Sequence, residues 1–248
     1  MAAAVQLSHK VHVLGRKEEL DTVLLPGKVA IVLDVLFATS TIVTAVAHGA
    51  SAVIPALDEA AARAESARHP AGGCVLAGEL YAETLPGFAP PTPLALLAHG
   101  VAGKQVIYST TNGTVALAGA AAADEVYAAA LLNARAVVDH VLARHPGQTV
   151  LIVCSGSMGN LNLEDYYGAG YLVELLAERL GEGADFSDAA RLARAFYRSG
   201  DPLPTLLDSR VGRMMTARGL GHEIEYAAQR STLGVVPWLR AGRLVPAA

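Results

Sequence analysis

Five consecutive apolar residues, Val29 to Leu33, end on an acid, Asp34. The chain then passes through Thr39, Ser40 and Thr41 into a helical stretch, Ile42 to His48, that Gly49 closes. A strand with no polar alternation must be buried on both faces, which demands a parallel sheet covered by helices on each side. Asp34 stands at the carboxyl end of that strand, and the three hydroxyls stand where the helix begins. An acid able to hold a metal ion thus lies beside a helix end that favours anions. The alternative is a solvated Asp followed by ordinary capping residues.

The same plan recurs along the chain. Alternation over Val5 to Leu14 predicts a strand near a sheet edge. Ser51 to Leu57 predicts the next strand, and Asp58 caps the helix EAAARAESARH that follows. Cys74 to Leu80 is a further strand ending in Gly78-Glu79. Tyr81 to Pro93, with Pro86, Gly87, Pro90 and Pro91, reads as a long ordered loop without regular structure. Leu94 to His99 is a short helix. Lys104 to Ser109 is a strand that leads into TTNGT (110–114) and an Ala-rich helix.

Glu125 to Ala129 is another strand, and Asn133 is expected to cap the helix Ala134 to Arg144. Thr149 to Cys154 is a buried strand, followed by a loop over Ser155 to Asn160. Leu163 to Leu180 is a long helix opened by Glu164 and Asp165, both favourable at its positive end. Beyond it, helices are expected over Ser187 to Ser199, behind Ser187 or Asp188 as cap, roughly Thr205 to Arg218, and Ile224 to Arg230. VVPWL is expected as a closing edge strand, since Pro237 excludes a central position. Strands alternating with helices give right-handed βαβ units, hence an α/β fold with a mainly parallel sheet and flanking helices. No linker divides the chain, so residues 1–248 read as one domain. The proline loop, near residues 81–103, is the one place where two lobes would part.

Composition narrows the partners. A net charge of −4 with 17% charged residues and no basic block argues against nucleic acid. No apolar run is long enough to cross a membrane, and the opening residues hold no long apolar region of the secretory type. Cys74 and Cys154 lie far apart, with no second ligand spaced near either, so neither a disulfide framework nor a zinc knuckle is expected. A cytoplasmic protein with reduced thiols follows. A homo-oligomer is the default for a cytoplasmic enzyme of this size.

Three strand ends share one design: Asp34 to Thr41, Ser109 to Thr114 and Cys154 to Asn160 each place small hydroxyl, Gly or Asn residues before a helix. In open α/β sheets ligands sit where such loops meet, outside the carboxyl ends of the strands. Hydroxyls and exposed amides at helix amino ends suit phosphate or carboxylate oxygens, so a small anionic, phosphorylated ligand is expected. No GxxxxGK[ST] and no GxGxxG follows a strand, which disfavours a nucleotide. Asn112-Gly113 is an ordinary turn pair, but a turn needs at most one of the flanking Thr110, Thr111 and Thr114. Glu79 could bind Mg²⁺ directly or through water, or be a solvated loop acid. Glu164 and Asp165 could be ligands or helix-opening residues only. Cys154 could be a nucleophile at a helix end that lowers its pKa, or a small core hydrophobe.

Read together, DVLFATSTIVTA (34–45), STTNGT (109–114), CSGSMGNLNLED (154–165) and SRVGRMMTARGLGHEIEYAAQ (209–229) with VVPWL resemble the 2-phosphosulfolactate phosphatase family. The motifs run in the same order from about Val29 to Leu239. The resemblance implies that family's own α/β fold. It also implies Mg²⁺-dependent hydrolysis of 2-phospho-3-sulfolactate to sulfolactate and phosphate, as in coenzyme M biosynthesis. By motif position, Asp34, Thr39, Ser40, Thr41, Glu79, Thr110, Thr111, Asn112, Gly113, Thr114, Cys154, Gly156, Glu164 and Asp165 would line the site. Mg²⁺ would be held by Asp34 and Glu79, with Glu164 and Asp165 as further candidate ligands, and Thr41 and Cys154 would join Asp34 in the chemistry.

The chain departs from the family pattern in named places. Phe37 stands where Arg is expected, and GFAPPTP puts Ala89 and Pro91 or Thr92 where an Asp and an Asn are expected. Val211-Gly212-Arg213 replaces His-Gly-Arg, and Arg230 or Ser231 takes an acidic position. Arg213 and Lys104 are the candidate replacements for the missing anion clamp. The rival reading, carried by Phe37, Ala89 and Val211, is a homologue that binds a small anion or a protein partner without turnover.

Overall fold

The computed structural model describes residues 10–181 and 184–247. Its strands form one sheet with two parallel parts. One part holds β4 (Cys74–Leu80), β6 (Gln105–Ser109) and β3 (Ala52–Ala56), side by side and parallel. The other holds β7 (Glu125–Ala129), β2 (Lys28–Leu33), β8 (Thr149–Cys154) and β1 (Lys10–Leu14), again parallel. Two-residue strands finish the two edges: β5 (Glu83–Thr84) beside β4 and β9 (Asp185–Phe186) beside β1. An antiparallel hairpin of β10 (Pro237–Arg240) and β11 (Arg243–Pro246) joins the parts, with β10 next to β7 and β11 next to β3.

β2 shows why the apolar run had to be a central strand. Its alternate residues Val29, Ile31 and Leu33 enter one hydrophobic core, and Ala30 and Val32 enter another. Both faces are buried, and each fully buried Val, Ile or Leu contributes about 1.5–3 kcal/mol. The first core lies under α5 (Ala134–Arg144), α6 (Leu163–Leu180) and α7 (Asp188–Arg198). The second holds α1 (Ala38–Ala47) and α4 (Gly113–Ala120), whose Ile42 and Leu117 pack with Val106 and Tyr108 of the other parallel part. Those two helices therefore bring the ends of β2 and β6 to one place.

Several expectations hold at atomic detail. Asp58 Oδ1 accepts the Ala61 amide at 2.7 Å at the start of α2 (Glu59–Ser66), a cap worth about 1 kcal/mol. Ser187, not Asp188, caps α7 by accepting the Ala190 amide. The first strand lies one short strand from an edge, its expected residues 5–9 falling outside the described residues.

Others are corrected. Pro237 sits inside the sheet rather than at an edge, because it is the first residue of β10 and the register aligns Trp238, not Pro237, with Tyr127 of β7. The return strand β11 was not anticipated. The segment expected as one helix over Thr205 to Arg218 is two, α8 (Pro202–Asp208) and α9 (Arg210–Ala217), broken where Ser209 turns extended and caps the second. Asn133 does not cap α5; its buried amide accepts from the Ala130 N–H and donates to Val235 O, pinning the C-terminal segment. The proline loop after β4 contains β5, which pairs back on β4. Among the described residues no helix is long and apolar enough to cross a membrane.

Candidate functional site

The carboxyl ends of β2, β4 and β6 converge on a cavity of about 140 Å³. Asp34, Glu79, Thr110, Thr111 and Asn112 all line it. Local packing explains how they meet. Gly78 lets β4 run against β6 so closely that a Cβ there would overlap Ser109 O. Gly113 opens α4 directly beside Asp34, where a Cβ would lie 2.8 Å from Asp34 Oδ2 and overlap the Ala38 side chain. Glu79 fixes the turn between them, accepting the Thr111 amide at 2.6 Å, the Thr111 hydroxyl at 3.1 Å and the Ala82 amide at 2.5 Å.

Asp34 is the buried acid at the centre. Burial pushes its carboxyl up to about 7, with Glu164 and Glu79 acting in the same direction. The Ala38 amide, which donates to Oδ1 at 3.4 Å, and the Lys17 ammonium oppose that shift. Lys17 Nζ in turn donates to Asn112 Oδ1 at 3.0 Å and ties the 110–114 loop to the first strand's exit.

Glu164 and Asp165, at the start of α6, are both buried and do not line the cavity. Asp165 accepts the amides of Val35 at 2.8 Å and Gly156 at 3.1 Å, so one carboxylate clamps the loops after β2 and β8. Gly156 can serve there because its backbone is left-handed (φ 59°) and a Cβ would lie 2.5 Å from Asn160 O. Glu164 is different. It is 1% exposed and neither carboxylate oxygen has a hydrogen-bond partner. Nearby Ser209 cannot serve it, since that hydroxyl donates to Leu206 O and accepts from Gly212 N. Burial raises the Glu164 carboxyl, and the Arg210 charge pulls it the other way.

The remaining predicted residues separate by depth. Thr39 exchanges hydrogen bonds with the Asp34 backbone, Ser40 donates to Val35 O, and Thr41 donates to Phe37 O and Pro91 O. Thr114 donates to Thr110 O and accepts the Thr110 amide. These four buried hydroxyls shape the loops and face the backbone rather than the cavity. Cys154 is in the core beside β2, and burial holds its thiol well above the usual range, the reverse of what a nucleophile requires. Arg213 points outward to Asp208, and Lys104 lies at the amino end of β6, away from the site.

The cation that does line the cavity is Arg210, which donates to Ser157 Oγ. Ser157 donates onward to Asn162 Oδ1 at 2.8 Å, and both residues line the cavity. Sequence reasoning named Arg213 in the same run and passed over Arg210. The signal was Ser209, a capping residue that sets Arg210 in the first turn of α9. Leu36, Phe37, Ala82, Val211 and Met214 complete the walls, with Tyr81 and Met158 at the rim. Among the described residues, five non-glycine backbones are left-handed, and Tyr81, Ala82 and Met158, three of them, line this cavity. Strained backbone concentrated in one place marks a preorganised site.

Comparison with known proteins points the same way. A profile of the family described as 2-phosphosulpholactate phosphatase matches residues 15–242. A Deinococcus radiodurans protein named probable 2-phosphosulfolactate phosphatase is 40% identical over 222 residues, 88% of this chain and 90% of that protein. Proteins of the same name are 36% identical over 239 residues in Carboxydothermus hydrogenoformans (95% of this chain, 96% of that protein) and 38% identical over 224 residues in Symbiobacterium thermophilum (89% and 95%).

Proposed function

The chain belongs to the 2-phosphosulpholactate phosphatase family, and from that membership we propose that it releases phosphate, with Mg²⁺ as cofactor, from 2-phospho-3-sulfolactate or a related small phosphorylated hydroxy acid. The observation that carries this reading is the meeting of Asp34, Glu79, Thr110, Thr111 and Arg210 in one cavity. The donor set suits the cofactor. Mg²⁺ takes oxygen ligands and is commonly held by one or two carboxylates, with water and substrate phosphate completing the shell. Asp34 would hold it directly and Glu79 through water. Among the described residues no group of three or more His, Cys, Asp and Glu side chains is gathered to cage a metal alone, and this mode of binding needs none. When bound, the ion supplies Lewis-acid polarisation of a phosphoryl oxygen and lowers the pKa of a coordinated water.

The chain's own groups do the positioning. Arg210 offers a guanidinium to the phosphoryl oxygens, and Ser157 fixes its direction. Thr110, Thr111 and Asn112 bring the start of α4, and Ala38 the start of α1, to the same cavity, where the positive ends of both helices favour an anion. Asp165 acts through the two loops it clamps, not on the substrate. Hydrolysis breaks the ester P–O bond, forms one to a water oxygen and leaves a proton on the departing hydroxyl. The test is phosphate release from 2-phospho-3-sulfolactate and other phosphorylated hydroxy acids, with Mg²⁺ and with excess chelator. Mg²⁺-dependent release is expected. Thermal stabilisation by these esters without any release would favour a non-catalytic anion binder instead.

A further inference from the structure

The cavity lining is of two chemical kinds. Asp34, Glu79, Thr110 and Arg210 are its polar and charged members. Leu36, Phe37, Val211 and Met214 line it as well, and none of them offers a side-chain donor to an anion. Tyr81 and Met158 line the same cavity yet are 72% and 78% exposed. Large apolar side chains exposed at the rim of a cavity are surface a ligand covers. Both have left-handed backbones, and Arg218 donates to Ala82 O and Glu83 beside Tyr81.

Charge limits the ligand from the other side. Arg210 is the one Lys or Arg lining the cavity among the described residues, and it donates to Ser157 Oγ. Its fork of donors can serve the adjacent phosphate and carboxylate of a single 2-phospho acid, and no second cation lines the cavity for a further anion. A second strong acid laid against Phe37, Val211 and Met214 would lose its hydration and gain no donor. An alkyl or aryl group in that position would bury its own surface and theirs.

We propose, resting on the phosphatase reading above, that this chain selects phosphorylated 2-hydroxy acids whose remaining substituent is an apolar alkyl or aryl group over those carrying a sulfonate there. The phosphate and carboxylate lie on the Asp34–Arg210 side, and the substituent follows Phe37, Val211 and Met214 out to Tyr81 and Met158.

The test compares kcat/KM for phosphate release by the full chain with Mg²⁺ on the 2-phosphate esters of 3-phenyllactate, lactate and 3-sulfolactate. The phenyl ester is expected to exceed the sulfonate ester by at least about tenfold, the scale on which apolar pockets discriminate. Phe37→Arg, and separately the less buried Met214→Arg, should narrow or invert that ratio. A wild-type ratio below tenfold, or the reverse order, overturns the proposal and leaves the phosphatase reading standing. Release from no ester overturns the phosphatase reading. Calorimetric titration with free 3-phenyllactate and 3-sulfolactate in the presence of phosphate then decides the preference: tighter 3-phenyllactate sustains it, and tighter 3-sulfolactate or no binding of either overturns it.

Discussion

The Asp165 carboxylate accepts the amide of Val35 at 2.8 Å across 130 positions of sequence, immediately beside the acid at the centre of the cavity. The contact joins the first turn of α6 to the end of β2 and makes the site geometry depend on a residue that does not line the cavity. Asp165→Asn keeps the shape but turns a donor toward one of the two amides, leaving a buried N–H unpaired. The expected cost is about 1–3 kcal/mol of stability, read as a lower urea midpoint with unchanged m-value. The same variant should lose phosphate-release activity at temperatures where it remains folded, because Val35 carries Asp34 with it.

Cys154 was a candidate nucleophile from its position at a strand end, and the structure gives it a core role. Cys154→Ala is expected to retain phosphate release to within about threefold, well under 1 kcal/mol of transition-state energy. It should lose about 1 kcal/mol of stability for the smaller side chain. Loss of activity of a hundredfold or more in a folded variant would return the thiol to the chemistry.

Acid stability should depend on Glu174. This α6 carboxylate accepts from Arg194 Nε at 2.7 Å and from Arg198 Nε at 2.8 Å and Nη2 at 2.7 Å, tying α6 to α7. The Arg198 hydrogen bonds, with the one from Arg194, lower its pKa to about 2 against burial. A depressed carboxylate stabilises the fold above its unfolded pKa, near 4.5, and that contribution is lost as pH falls toward 2. Arg198 is exposed to solvent and Arg194 only half-buried, so the contribution is about 1 kcal/mol. In thermal melts Glu174→Gln should lower Tm by about 2–4 °C at pH 7 and should converge with the wild type near pH 2. A constant difference down to pH 2 would mean that the side chain acts through packing and not charge.

The parallel strands and their order of succession were legible because buried runs such as Val29 to Leu33 have one physical solution. The convergence of Asp34, Glu79 and Thr110 to Asn112 was legible for the same reason, since carboxyl ends of parallel strands share a rim. The depth of each hydroxyl was not. Thr39, Ser40, Thr41 and Thr114 look like ligands in sequence, but a hydroxyl at a helix start competes equally well for its own backbone. Arg210 escaped because a helix break at Ser209 shifts which face of the tail meets the cavity. The position of Pro237 escaped because its register with β7 depends on a hairpin partner, Arg243 to Pro246, that sequence pattern did not announce.

Asp34 carries the central claim, and Asp34→Asn is its most direct probe. The substitution keeps volume and removes the charge that would hold a divalent ion, so phosphate release with saturating Mg²⁺ is expected to fall by at least about 10³-fold, several kcal/mol of barrier. Circular dichroism and the melting temperature should stay at or above wild-type values, since the variant relieves a buried carboxylate whose pKa stands at about 7. Undiminished Mg²⁺-dependent turnover in the folded Asp34→Asn protein would contradict that claim.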